Sequence, residues 1–243
     1  MTYVTLTSTN RKDIKEETPR KLEKYNKIYN KMTAPEPTYK EIKLLGSKLN
    51  TQKDVSTRKN KVWQPIQKFR HHFRSKRLSS QHKVRIFKTY VETTLLYNSE
   101  TWALTSTLEK SLDAFHRRLL RIALNIRYPK IISNQHLYNL TKETPISVRI
   151  KKRRLALFGH ILRLPPDTPA QQALHFYLTP HRRPVGRPPL TWLALVTKDL
   201  RHTLIHHNIR TPLTKNSIDR LSVIAKDNTA WRIEIERSME SNL

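Results

Sequence analysis

The sequence predicts a mainly α-helical protein: a helical bundle with a small N-terminal β element and a second helical group toward the C-terminal end. Three observations carry that reading. Apolar residues recur at spacings of three and four around 52–75, 80–102 and 106–125, and again from 145 onward, which is one face of a 3.6-residue helix. Capping residues stand at the start of several of these stretches. Strand-like patterns are confined to residues 3–8 and 41–49.

Residues 3 to 8, Tyr-Val-Thr-Leu-Thr-Ser, alternate and are rich in β-branched side chains, as a strand is. Residues 10 to 40 are Lys-rich, broken by proline and poor in large apolar groups. They read as a mobile insertion with some helix around Lys21 to Lys31. Glu41 to Leu49 reads as a short strand and turn about Gly46. Thr51 with Asp54 is placed to cap the next helix, whose stripe is Val62, Ile66, Phe69 and Phe73. Pro65 inside it implies a kink or restart near Trp63.

Val84, Phe87, Val91 and Leu95 mark the face of the following helix, with a break expected at Tyr97-Asn98-Ser99. Ser106 and Glu109 stand in capping-box register, ahead of the stripe Leu108, Leu112, Phe115, Leu119 and Ile122. Arg117, Arg118 and Arg121 fall off that stripe. They are expected to form a ridge that meets a polyanion, or else to pair with Glu109 and Asp113 along their own helix.

Ser133 is placed to cap a short helix through Leu140. Thr144-Pro145 reads as an N-cap followed by proline in the first turn. The helix it opens, Ile146 to Leu164, is expected to turn Ile150, Leu157, Ile161 and Leu164 inward, with Lys151, Lys152, Arg153 and Arg154 in its middle. Gly159 within that helix costs about 1 kcal/mol relative to alanine, which implies close approach of another element. A short helix, Pro169 to Tyr177, sits within a loop over 165–190. Its last part, Thr179 to Leu190, is Pro-rich, basic and extended, because each proline excludes helix. Two helices complete the chain. Thr191 to about His206 carries Trp192, Val196, Leu200 and Leu204; Ser217 to about Ser238 carries Ile218, Leu221, Ala225 and Trp231.

The 243 residues carry 47 Lys and Arg against 19 Asp and Glu, a formal charge of +28. Self-repulsion on that scale favours a nucleic-acid or anionic-membrane partner. From Val55 to Val91 there are eleven Lys or Arg and no acid, a run that nothing local neutralises. No apolar run approaches a membrane span, and no charged-then-apolar signal segment opens the chain. The expectation is a nuclear or cytoplasmic ribonucleoprotein component, not secreted and not membrane-bound. The absence of cysteine excludes disulfides, thiolate zinc sites and cysteine nucleophiles. With three glycines, a glycine-rich phosphate loop is excluded as well.

Leu95-Leu96-Tyr97-Asn98-Ser99-Glu100-Thr101-Trp102, followed by Phe115-His116-Arg117-Arg118-Leu119-Leu120-Arg121, resembles the segment just beyond the palm in non-LTR (LINE-type) retrotransposon reverse transcriptases. Arg153 to Leu164 resembles a second motif of that family. Gly186-Arg187-Pro188 with Thr191-Trp192 resembles a third, and Ala225-Lys226-Asp227 before Trp231-Arg232 the closing one. Asn98 and Asn125 stand where the family has glycine; asparagine tolerates left-handed backbone better than other non-glycine residues. The resemblance covers about residues 41 to 237, with 1 to 9 as the last palm strand.

It implies a palm remnant, insertion and primer-grip-like hairpin over 1–50, a thumb-like bundle over 51–143, and a basic C-terminal extension over 144–243. Leu44, Leu45 and Gly46 would correspond to the primer grip. The implied function is that of the C-terminal, nucleic-acid-binding part of an RNA-directed DNA polymerase, gripping a template–primer duplex of RNA–DNA or DNA. The palm and fingers portion is the further partner. Arg117, Arg118, Arg121, Lys151, Lys152, Arg153, Arg154 and Arg187 are the candidate contacts to the duplex.

A polymerase site needs closely placed carboxylates to hold two magnesium ions, and the family's signature is a Tyr-x-Asp-Asp turn. Here Asp13, Asp54, Asp113, Asp167, Asp199, Asp219 and Asp227 are scattered, with no adjacent pair and no Asp-x-Asp. The chain is therefore expected to begin after the catalytic turn, to hold no cofactor of its own, Mg2+ belonging to the missing catalytic half, and not to extend a primer alone. His202 and His206, four apart, fit a metal on one helix face, but no third ligand is indicated and solvated histidines are the simpler reading. Glu234 and Glu236 diverge on a helix, and no Gly-x-Ser-x-Gly nucleophile turn exists.

Two other readings share the same charge. Gly186-Arg187-Pro188 is half of an AT-hook, which would make the chain a free-standing basic DNA-binding protein. A match of three residues is short, and a linker is the simpler account. A basic RNA-binding assembly protein would leave the same footprint. Several separated motifs in family order favour the polymerase fragment, because composition alone does not produce order.

Overall fold

The computed structural model describes residues 43–178 and 190–240. The strand expected over 3–8, the insertion over 10–40 and Arg187 with residues 179–189 of the Pro-rich loop lie outside the described residues. What is described is mainly α-helical, preceded by a two-stranded antiparallel hairpin. Its strands, β1 (Lys43–Leu44) and β2 (Ser47–Lys48), pair Lys43 with Lys48 and Leu44 with Ser47. The tip uses positive φ at both Leu45 (47°) and Gly46 (79°), the backbone of a two-residue turn whose twist matches that of the strands.

Helices α1 (Thr51–Lys61), α2 (Trp63–Lys68) and α3 (Arg70–Arg74) follow as one interrupted rod. The interruption at Val62 is the restart expected from Pro65; a second, at Phe69, was not. Helix α4 (Ser80–Ile86) runs into a π-helical turn, Phe87–Glu92, and then α5 (Thr93–Leu95). The wider turn lets two adjacent side chains, Val91 and Glu92, both face inward. The chain breaks at Asn98, in left-handed backbone at φ 60°, and a 3-10 turn over Ser99–Thr101 leads to Trp102. Helices α6 (Ser106–Ala123), α7 (Asn134–Thr141) and α8 (Ile146–Arg163) come next. They are followed by α9 (Pro169–Leu178), α10 (Trp192–Asp199), α11 (Arg201–His206), α12 (Lys215–Lys226) and α13 (Asn228–Glu240). The single C-terminal helix expected over 217–238 is thus two, parted at Asp227, whose backbone is extended.

Three helix starts differ from expectation by one residue. Asn50, not Thr51, caps α1, accepting from the Lys53 amide at 3.1 Å, because the Asp54 carboxylate is drawn into tertiary contacts. Thr105, not Ser106, caps α6, accepting from the Leu108 amide at 3.3 Å, so no capping box forms with Glu109. Pro145 occupies the cap position of α8. Ser133 caps α7 as expected, and Thr191 caps α10.

The buried apolar side chains form two clusters. One runs from Val55 to Ile150 and centres on Phe73, Phe87, Leu95, Leu112 and Leu119. The other runs from Leu155 to Met239 and centres on Phe158, Val196, Leu221 and Trp231. Helix α8 belongs to both: Ile146 and Ile150 enter the first, and Leu155, Phe158 and Leu162 the second. That double duty corrects its expected inward face. Ile150 is buried, but Leu157, Ile161 and Leu164 are only half-buried, because a helix sandwiched on two sides buries a wider, rotated arc.

Candidate nucleic-acid interface

The hairpin is fixed to the bundle by polar contacts converging on α1. Arg58 donates to the Gly46 carbonyl at 2.7 Å and to Ser47 Oγ at 2.8 Å. Asp54, fully buried, accepts from the Lys48 amide at 3.0 Å and from Trp102 Nε1 at 2.9 Å. Tyr97 Oη donates to the Leu45 carbonyl at 2.8 Å, so the hairpin tip is held while the Leu45 side chain stands 87% exposed. The three residues expected to be primer-grip-like, Leu44, Leu45 and Gly46, lie at or next to this tip.

The arginine ridge lies on α6. Arg118 is exposed, with its guanidinium 5.8 Å from the centroid of the Trp63 ring. Arg117 Nη1 is 3.5 Å from Tyr138 Oη. Arg121 Nη2 donates to Asn134 Oδ1 at 2.8 Å and to the Ile132 carbonyl at 3.3 Å. All of these partners are neutral. Asp113, one of the two acids on the same helix weighed as partners, instead accepts from the Ser147 amide at 3.0 Å and Ser147 Oγ at 2.8 Å. Among the described residues, no ion pair cancels the ridge charge.

The cluster on α8 is built differently. Arg154 is wholly buried, ion-paired with Asp199 and donating to the Trp102 carbonyl at 3.2 Å. This corrects its assignment to a polyanion surface: the rotated face of α8 turns it into the protein. Burial pushes the Asp199 carboxyl up, against the pull of the Arg154 charge. Arg153 pairs with Glu100 at 2.8 Å, and Lys152 pairs with Glu236. Both remain partly accessible, but each spends its charge on an acid. Lys151 is half-buried near Asp199. The two sets that looked alike in the sequence therefore differ: the ridge is uncompensated, the α8 cluster mostly neutralised.

Arg70 and Arg74 on α3, two cations of the acid-free run from Val55 to Val91, gather in the structure with Arg127 just beyond α6. Arg127, more than fifty residues on, had no local signal.

His202 and His206 were weighed as a metal pair and read as solvated histidines; the structure brings His207 and Glu234, not His202, to His206, with ligand atoms within 4.8 Å of one another. Glu234 Oε1 already accepts from Arg237 at 2.7 Å, so that oxygen is engaged by a guanidinium. No helix among the described residues is long and apolar enough to cross a membrane.

Over 160 residues the chain is 24% identical to an uncharacterized transposon-derived protein of Caenorhabditis elegans, a match covering 64% of this chain and 54% of that one. The chain thus spans about half the length of the curated relative it matches. No family model matches the sequence, and no solved structure matches it.

Proposed function

We propose that this chain is the C-terminal nucleic-acid-binding part of a retrotransposon reverse transcriptase, gripping a template–primer duplex through a basic helical thumb and lacking a catalytic centre of its own. The observation that carries the reading is the α6 ridge. Arg117, Arg118 and Arg121 have only neutral partners among the described residues, in a chain of charge +28. Unpaired arginines of this kind suit phosphate oxygens, which accept both arms of a guanidinium fork. The similarity to a transposon-derived protein supports a mobile-element origin, and the exposed, positive-φ hairpin tip at Leu45 is compatible with a primer-contacting element.

Equilibrium binding to an RNA–DNA hybrid and to a mixed-sequence DNA duplex, with a primer-extension assay beside it, tests the reading. Both duplexes should bind with comparable affinity, because recognition is by backbone and shape. With Mg2+ and nucleotides the isolated chain should not extend the primer. Failure to bind either duplex, or extension above a contaminant control, would overturn the proposal. A strong preference for A-tract DNA, lost in Arg187→Ala, would favour the free-standing DNA binder instead.

A further inference from the structure

Arg70, Arg74 and Arg127 stand around a cavity of about 230 Å3 floored by Trp63, Phe73 and Ile122. Arg70 and Arg74 are four residues apart on one helix, where like charges repel, and Arg127 adds a third cation from the end of α6. Arg70, partial loss of water and Arg127, in that order, hold the Arg74 guanidinium below its usual range. None of the three has an acidic partner among the described residues. The arrangement is unfavourable as it stands, and no contact within the described chain offsets it. An anion would.

We propose that this pocket is a phosphate-binding site that takes a single backbone phosphate of a nucleic-acid duplex, with the adjoining sugar against the Trp63–Phe73–Ile122 floor. The site rests on the nucleic-acid reading above and deepens it. The cavity is smaller than the range usual for whole small-molecule ligands, yet has room for a phosphate and part of a sugar. Two neighbours point to a polymer rather than a free anion. Arg118 of the ridge lies over Trp63, which is itself a pocket wall, so the cationic surface continues beyond the cavity. Tyr128, next to Arg127, is 88% exposed, an aromatic face of the kind on which bases stack. A free phosphate would use neither.

Three cations converging on one phosphate have a signature that three separate contacts lack. The salt slope counts phosphates neutralised, about 0.9 unit each, so removing the trio should flatten it by about one unit and not three. The experiment is fluorescence-anisotropy binding of the full chain to a mixed-sequence duplex over a potassium chloride series. The triple variant R70Q/R74Q/R127Q should bind roughly tenfold more weakly near physiological salt, with the slope reduced by about one. R201Q/R210Q/R232Q removes the same charge from exposed positions elsewhere and should cost roughly threefold at most. Inorganic phosphate, at ionic strength held constant with chloride, should weaken duplex binding by the wild type and not by the pocket variant. It should also raise the melting temperature of the wild type alone, a readout that does not depend on the variant's fold. Equal losses in the two triple variants, or a slope change near three, would overturn the site. So would phosphate stabilisation of the wild type without any change in duplex affinity in the pocket variant, which would make the ligand a free anion. No duplex binding by the wild type at any salt would instead sink the functional reading itself, and this site with it.

Discussion

Gly159 lies against the indole of Trp231 so closely that a Cβ built on it would sit 2.1 Å from Nε1. The indole cannot yield easily: Trp231 is buried, and its Nε1 donates to the Leu155 carbonyl at 3.0 Å, one turn back on the same helix α8. Gly159→Ala sets two effects against each other. Helix propensity favours alanine by about 1 kcal/mol. Overpacking against a fixed ring costs about 1–3 kcal/mol, and an overlap this deep belongs at the upper end. The variant should lose about 2 kcal/mol in a urea melt. Trp231→Phe in the same background should recover part of it by removing the pyrrole atoms. A neutral or stabilised Gly159→Ala would mean that the two helices do not meet this closely in solution.

Arg154 and Asp199 form a buried pair within the second core cluster's surroundings. Arg154→Met leaves a buried carboxylate without its cation, and Asp199→Leu leaves a buried guanidinium. Each should cost about 3–5 kcal/mol. The double variant removes both charges and should be more stable than either single one, since apolar replacement of a whole buried pair is often close to neutral. Urea melts of the four proteins close the cycle. Strictly additive losses would show that the two side chains do not depend on each other.

The helical periods and the elements they define were legible because burial imposes them: Val62, Ile66, Phe73, Val84, Phe87, Val91 and Leu95 are all buried as their spacing requires. Asn98 and Asn125 were legible as left-handed positions, and they have φ of 60° and 56°. Gly159 was legible as a close approach, though not its partner, since nothing local links residue 159 to residue 231. The π-turn at Phe87–Glu92 was invisible for a related reason. At its end Glu92 faces Arg149, which also meets Glu143, from a helix more than fifty residues away. Arg154 was misplaced because charge type suggests a surface, while the rotation of α8 between two clusters decides the matter.

His116 predicts a pH dependence. Burial, then Arg149 and Arg117, lower its pKa to about 3, and neither ring nitrogen has a hydrogen-bond partner. In the unfolded chain it titrates near its ordinary value of 6.5. Above about pH 6.5 it is neutral in both states and contributes no slope. Below that the unfolded state binds a proton that the folded state refuses, so stability falls as pH falls, by up to about 1.4 kcal/mol per pH unit toward pH 3. His116→Phe should remove that slope, leaving only what the carboxylates contribute. If stability between pH 6.5 and 4 follows the same curve in both proteins, His116 is not held neutral.

Asn98 and Asn125 should discriminate among replacements by backbone alone. Glycine adopts left-handed φ without penalty, so Asn98→Gly and Asn125→Gly should change stability little. Alanine is strained there and should cost about 1 kcal/mol at each site. Asn125 closes α6, where its amide meets the Ile122 carbonyl at 3.1 Å, so its alanine variant should also fray the helix end that presents Arg121. Hydrogen exchange at Ile122 to Ile126 reports that directly. Equal stability of the alanine and glycine variants would refute the left-handed assignment.

The ridge makes the remaining prediction, and it contrasts with the pocket. Arg117, Arg118 and Arg121 share just over one turn of α6, but each is held by a separate neutral partner: Tyr138, the Trp63 ring and the 132–134 segment. Cations held by separate partners, with no shared cavity between them, meet different phosphates, each worth about 0.9 unit of salt slope. Replacing all three by glutamine should therefore flatten the slope of duplex binding by about two to three units. Arg121 also has a structural role, since losing its bonds to Ile132 and Asn134 should cost about 1 kcal/mol. Asn134→Ala, which weakens the same anchorage without removing a charge, separates the two roles: it should lower stability and leave the slope unchanged. If the triple variant binds with the wild-type slope, the ridge is a solvated face and duplex binding lies elsewhere on the chain.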